Sequence, residues 1–103
     1  MIYKETEEQF LSWVIAYAQL KKWLVSHQRP AMTFTGYRTA IQGDQGFPDL
    51  VLARDSRVIL AELKSEGGTL SPYQEKWQEE LKNFNEYYVW RPSDREEIER
   101  ILV

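Results

Sequence analysis

Two apolar runs of strand length, Leu50–Ala53 and Val58–Ala61, are separated only by Arg54, Asp55, Ser56 and Arg57. Runs this short and this rich in Val, Ile and Leu read as buried strands, and so compact a polar break makes them an antiparallel hairpin. With Asp55 and Ser56 as the turn, Arg54 faces Arg57, Leu52 faces Ile59, and Asp49 falls opposite Glu62 with β-carbons about 5 Å apart. Lys64, two residues beyond Glu62, shares its face. A three- or five-residue turn would shift this pairing and separate the two acids.

Paired carboxylates repel, and a flanking apolar ladder adds a desolvation cost. A cation between them resolves the conflict, whether a hard divalent ion with oxygen ligands, Lys64, or both together. The plainer alternative makes Asp49 a strand cap at a solvated sheet edge, with Glu62 and Lys64 ordinary exposed positions.

A chain of 103 residues without a linker reads as one domain over residues 1–103, large enough to bury roughly 60–70% of its unfolded surface. Without cysteine and with His27 as the single histidine, it has neither a disulfide framework nor a thiolate or histidine-cluster metal site. The longest apolar run, Trp13–Ala18, is too short to span a bilayer, and residues 1–6 lack a signal peptide's layout. A soluble, cytoplasmic protein is the expectation.

The net charge of −3 argues at first against nucleic acid. The distribution weakens that objection, because residues 21–64 carry seven basic against four acidic side chains, and two of those acids are Asp49 and Glu62. One basic face is therefore available, with Arg29, Arg38 and Arg54 as candidate DNA contacts.

Thr6 to Gln9 has the form of a capping box, and apolar spacing predicts a helix from Glu7 to about Lys22 with Phe10, Val14 and Tyr17 inward. Glu7 falls on that inward stripe, where it either complements the helix dipole or belongs to a site. Trp23–His27 reads as a strand stopped by Arg29 and Pro30, and His27 as a structural group at its end. Residues 31–46 form a long loop without sustained periodicity, expected to act as a flap over the carboxylates. Arg38, Tyr37 and Phe34 are placed there to meet phosphate and stack on bases, while the plainer reading has Phe34, Tyr37 and Ile41 covering one sheet face, and the two readings are compatible.

Ser71, Pro72 and Gln74 announce a second helix to about Asn83, burying Tyr73, Trp77, Leu81 and Phe84; Gln74 either closes the capping box or reaches the site. Glu86–Trp90 is a fourth strand, parallel to the Glu62 strand because a helix intervenes. Ser93 to Glu96 is a third capping box, opening a helix to about Leu102 that packs Ile98, Ile101 and Leu102 on the sheet. The plan is αβββαβα, a four-stranded mixed α/β sheet flanked by helices.

Gly46-Phe47-Pro48-Asp49, Glu62-Leu63-Lys64, then Ser71-Pro72 and Gln74 on this plan resemble the VRR-NUC family of the PD-(D/E)xK nuclease superfamily, specifically its small stand-alone members from phages and bacteria. The Thr6-Glu7 opening, the Trp23–His27 strand and the Arg91-Pro92 end match as well, so the likeness covers nearly the whole chain. Lys22 departs from it, since the family often has Gly before the Trp.

The resemblance implies a restriction-endonuclease-like core and metal-dependent hydrolysis of DNA. Asp49 and Glu62 would bind Mg²⁺ or Mn²⁺ together with the carbonyl of Leu63, and Lys64 would position and help deprotonate the attacking water. Glu7 and Gln74 match accessory site positions. Stand-alone members resemble structure-selective nucleases that work as homodimers on branched DNA, including four-way (Holliday) junctions. Flaps, ends or a specific duplex sequence are alternative substrates, and a catalytically silent DNA- or partner-binding module is the alternative from another class.

Overall fold

The computed structural model describes residues 4–28, 31–33, 36–38 and 42–103. In chain order these form α1 (Glu7–Leu20), β1 (Leu24–His27), β2 (Ala31–Thr33), β3 (Gly36–Arg38), β4 (Leu50–Arg54), β5 (Arg57–Leu63), α2 (Pro72–Leu81), β6 (Tyr87–Trp90), a 3₁₀ turn (Pro92–Asp94) and α3 (Arg95–Ile101). The main sheet has the order β1-β4-β5-β6, antiparallel except for the parallel β5–β6 pair. This is the expected four-stranded mixed sheet with its helices. Among the described residues, no helix is long and apolar enough to cross a membrane.

The hairpin turn sets the register. Asp55 and Ser56 both have positive φ, 51° and 66°, the backbone of a two-residue turn whose twist matches its strands. Pairing runs from Arg54↔Arg57 through Leu52↔Ile59 to Leu50↔Ala61, so one further step sets Asp49 opposite Glu62, as the sequence predicts.

Alternation then divides the sheet into two faces. Leu50, Leu52, Ile59, Ala61, Leu63 and Trp90 are buried in one core with Phe10, Val14 and Ala18 of α1 and Ile98 and Leu102 from the end of the chain. The opposite face carries Val51, Ala53, Val58, Leu60, Glu62 and Lys64. Part of it is open, with Leu24 77% and Val58 44% exposed.

Helix α1 starts as expected, Thr6 and Gln9 exchanging both bonds of the capping box. It ends two residues early in a Schellman motif: the Lys22 and Trp23 N–H groups donate to the Gln19 and Ala18 carbonyls, each at 3.0 Å. Lys22 takes the left-handed position at φ 72°, where glycine is usual.

Three expectations need correction. The segment from residue 31 to 46 is not an unstructured flap, because β2 and β3 pair within it, Ala31↔Arg38 to Thr33↔Gly36; strands of three residues are too short to leave a periodicity. Helix α2 buries no residue fully, and Tyr73 and Phe84 are 54% and 42% exposed, because its inner side meets the loop before β4 rather than the main core. Ser93 is not an N-cap. Pro92 opens the first turn, the Asp94 carboxylate accepts the Arg91 N–H at 2.8 Å, and Ser93 turns to Glu66.

Candidate active site

Asp49 arrives from a loop held against the start of α2. Gly46 has φ 96°, and a β-carbon there would lie 2.5 Å from the Tyr73 carbonyl carbon, so only glycine fits. Phe47 packs edge-on to Trp77 at 5.1 Å, while the Trp77 indole N–H donates to the Gln45 carbonyl at 2.9 Å. The Asp49 carbonyl accepts the Gln28 N–H at 3.1 Å, and Asp49 Oδ2 accepts the Leu63 N–H at 2.9 Å. Backbone bonds on both sides thus fix its position.

Glu62 is 2% exposed, the one buried charged side chain among the described residues. Its Oε1 accepts from Gln74 Nε2 at 2.7 Å and lies 4.0 Å from Lys64 Nζ. The Gln74 side-chain carbonyl meanwhile accepts the Ser71 N–H at 2.9 Å, so one amide both closes the capping box and reaches the site. Lys64 Nζ stands 3.9 Å from Glu7 Oε1 on the first residue of α1. Asp49, Glu62, Lys64, Glu7 and Gln74 therefore converge at one end of the sheet, between the starts of α1 and α2.

The electrostatics bear the strain expected of this gathering. Burial, and then the charge and contact of Asp49, push the Glu62 carboxyl up to about 9, with Lys64 opposing. Burial also raises Glu7, against Lys64 and with Asp49. Tyr87 is pushed up to about 12 by burial first and then by the charges of Glu62 and Asp49, so its hydroxyl stays protonated near the site.

Among the described residues, no three His, Asp or Glu side chains form a ready-made cage. Two adjoining carboxylates with a neighbouring backbone carbonyl are nonetheless a hard, open donor set of the kind that holds Mg²⁺ while water and substrate complete the shell. The raised Glu62 carboxyl marks a place where a cation would relieve repulsion, so the residues fit such an ion.

Of the proposed DNA contacts, Arg54 lies away from this site. The Arg54 guanidinium lies 4.4 Å over the Trp23 ring and donates to the Lys21 and Val103 carbonyls, both at 2.7 Å. It sits at the turn end of the hairpin, a strand length of roughly 16 Å from Asp49, and ties the end of α1 to the chain's C-terminal residues. Arg29 lies outside the described residues, as does Phe34. Tyr37 and Arg38 lie on β3, with their side chains outside the description.

Sequence reasoning missed part of the cleft. A hollow of about 290 Å³ is bounded by Glu7, Asp49 and Leu63 together with Leu11, His27 and Gln28, and Glu8 completes its rim. The signal was the β1–β4 register, which sets His27 opposite Leu50, beside Asp49; the sequence neighbours of His27 carry no hint of it. A larger groove of about 600 Å³ beside Tyr73 and Trp77 is lined by none of the predicted site residues among those described.

A family model described as VRR-NUC domain matches residues 3–91. Comparison with curated proteins gives no match, and neither does comparison with solved structures.

Proposed function

The chain belongs to the VRR-NUC domain family, a family of nuclease domains, and on that premise we propose that it is a metal-dependent endonuclease hydrolysing phosphodiester bonds in branched DNA as a homodimer. The observation that carries the proposal is the Glu62 carboxyl, buried beside Asp49 with Lys64 Nζ at 4.0 Å and the Gln74 amide at 2.7 Å. A buried like-charge pair flanked by one ammonium is costly unless a cation completes it. That repulsion supports a functional site over a structural ion pair.

In this reading Asp49, Glu62 and the Leu63 carbonyl would hold Mg²⁺ or Mn²⁺, which when bound supplies Lewis acidity and a water of lowered pKa. Lys64 holds the attacking water, and its positive charge favours loss of that water's proton to bulk solvent while lying beside the phosphate as negative charge develops there. Gln74 keeps Glu62 in place, and Glu7 sets the position of the Lys64 ammonium.

The open sheet face supports the homodimer. Leu24, Ala53 and Val58 form one cross-strand row, with Val51, Leu60 and Tyr87 in the next, apolar surface that self-association would cover. A two-fold assembly presents paired active sites suited to a symmetric four-way junction.

Cleavage of labelled four-way junctions, flaps and linear duplexes, with and without Mg²⁺ or Mn²⁺, tests the proposal beside a mass measurement in solution. The expected result is metal-dependent incision of the junction by a dimer, abolished in Asp49→Ala, Glu62→Ala and Lys64→Ala with DNA binding largely kept. Wild-type turnover in any of the three removes the assignment, and a preference for flaps or duplex moves the substrate class.

A further inference from the structure

We infer that His27 is a substrate-positioning residue, its imidazole donating a hydrogen bond to a phosphate oxygen of the DNA strand in the cleft beside Asp49. The inference rests on the nuclease reading above and gives one wall of its cleft a task. His27 is the last residue of β1, an edge strand of the main sheet. The pairing His27↔Leu50 and the Gln28 N–H on the Asp49 carbonyl at 3.1 Å hold that wall in register with Asp49.

The chemistry of the lining narrows what His27 can do. Around the roughly 290 Å³ hollow stand the carboxylates of Glu7, Glu8 and Asp49 and the apolar Leu11 and Leu63. A phosphodiester carries a full negative charge and is repelled by such walls unless N–H donors face it. Among the described residues of this lining, only His27 and Gln28 bring side-chain donors. Gln28 is exposed, whereas His27 is half-buried on a strand, so less side-chain freedom is lost when it makes a contact.

An imidazole donates through at least one nitrogen in either protonation state, so the contact does not depend on its charge. The hollow is at the small end of ligand sites and suits one stretch of sugar–phosphate backbone rather than a duplex.

The test compares the full chain with His27→Leu and His27→Asn in steady-state cleavage of a fluorescent four-way junction, or of the flap or duplex if those are preferred, alongside thermal melting. His27→Leu is expected to lower kcat/KM about tenfold or more, chiefly through KM, with an unchanged Tm, and His27→Asn, which keeps an N–H donor, to recover most of the loss. Wild-type kcat/KM in His27→Leu overturns the inference, as does an equal loss in both variants that follows a fall in Tm. Loss of one limb of the pH–rate profile in His27→Leu, with KM unchanged, also overturns it by assigning the imidazole to proton transfer. A wild-type chain that cleaves no DNA removes the nuclease reading and this inference with it, whereas a cleaving wild type with an indifferent His27→Leu removes the inference alone.

Discussion

Without metal, the stability of this protein should fall as pH rises, and Glu62 is the main reason. Its carboxyl stands at about 9 instead of the ordinary 4.5, through burial first and the Asp49 charge second. Between those two values the folded chain keeps a proton that the unfolded chain has released, so stability declines with increasing pH. The contribution is complete below 4.5, shrinks across the window and is lost above about 9. At about 1.4 kcal/mol per pH unit the full interval corresponds to at most roughly 6 kcal/mol. Even ~2 kcal/mol would lower Tm by roughly 8–16 °C in a domain of this size. Glu7, raised in the same direction, adds slope of the same sign, which makes Glu62→Gln the necessary control. Melting in EDTA from pH 5 to pH 9 should therefore show a falling Tm in the wild type and a much flatter profile in Glu62→Gln. Mg²⁺ or Mn²⁺ should stabilise the wild type more at pH 8 than at pH 5, since only the deprotonated pair binds it. A metal-free Tm that is level or rising over this range, or a Glu62→Gln variant that keeps the wild-type slope, would refute the reasoning.

Three further substitutions probe the frame of the site. Gly46→Ala places a β-carbon 2.5 Å from the Tyr73 backbone at a positive φ, and should cost about 2–5 kcal/mol in denaturant unfolding and slow cleavage by displacing Asp49; a neutral result would mean that the loop is not locked. Lys22→Gly relieves the left-handed residue at φ 72° and should stabilise by about 1 kcal/mol, read as a rise in Tm with kcat unchanged. Arg54→Met removes the carbonyl bonds to Lys21 and Val103 and the stacking on Trp23. It should destabilise by about 1–3 kcal/mol while leaving the salt dependence of DNA binding unaltered; a shallower salt slope would return Arg54 to the DNA interface.

What the sequence made legible follows from the range of the interactions involved. Helix starts at Thr6 and Ser71 were readable because a capping box closes within four residues, and the hairpin register because two turn residues fix every pair behind them. The convergence of Asp49, Glu62 and Lys64 followed from that register. The place of His27 beside Asp49 did not, since it depends on β1 lying beside β4, a pairing across more than twenty residues that no local pattern announces. The exposure of Tyr73 and Phe84 was equally hidden, because helical spacing says which residues share a side of α2 but not whether the sheet core or a loop lies under them. Arg54 looked like a DNA contact by charge alone, and its actual partners are backbone carbonyls distant in sequence.

The site's charge balance explains why the fold cannot relieve Asp49 and Glu62 by itself. Asp49 cannot withdraw without releasing the Leu63 N–H and Gln28 N–H, and Glu62 is held on β5 and by Gln74. Lys64 could neutralise one of them, but Glu7 stands 3.9 Å from the same ammonium and competes for it. With all groups ionised, three carboxylates face one ammonium and leave two negative charges uncompensated. Protonating Glu62 removes one of these, which is the direction in which its pKa is driven. A divalent cation removes both and leaves Lys64 available to a water molecule. A substitution that lowers the local negative charge without touching Asp49 or Glu62, such as Glu7→Gln, should therefore weaken Mg²⁺ binding measured by calorimetry while lowering the Glu62 pKa. An unaltered metal affinity in that variant would mean that Glu7 acts only through Lys64.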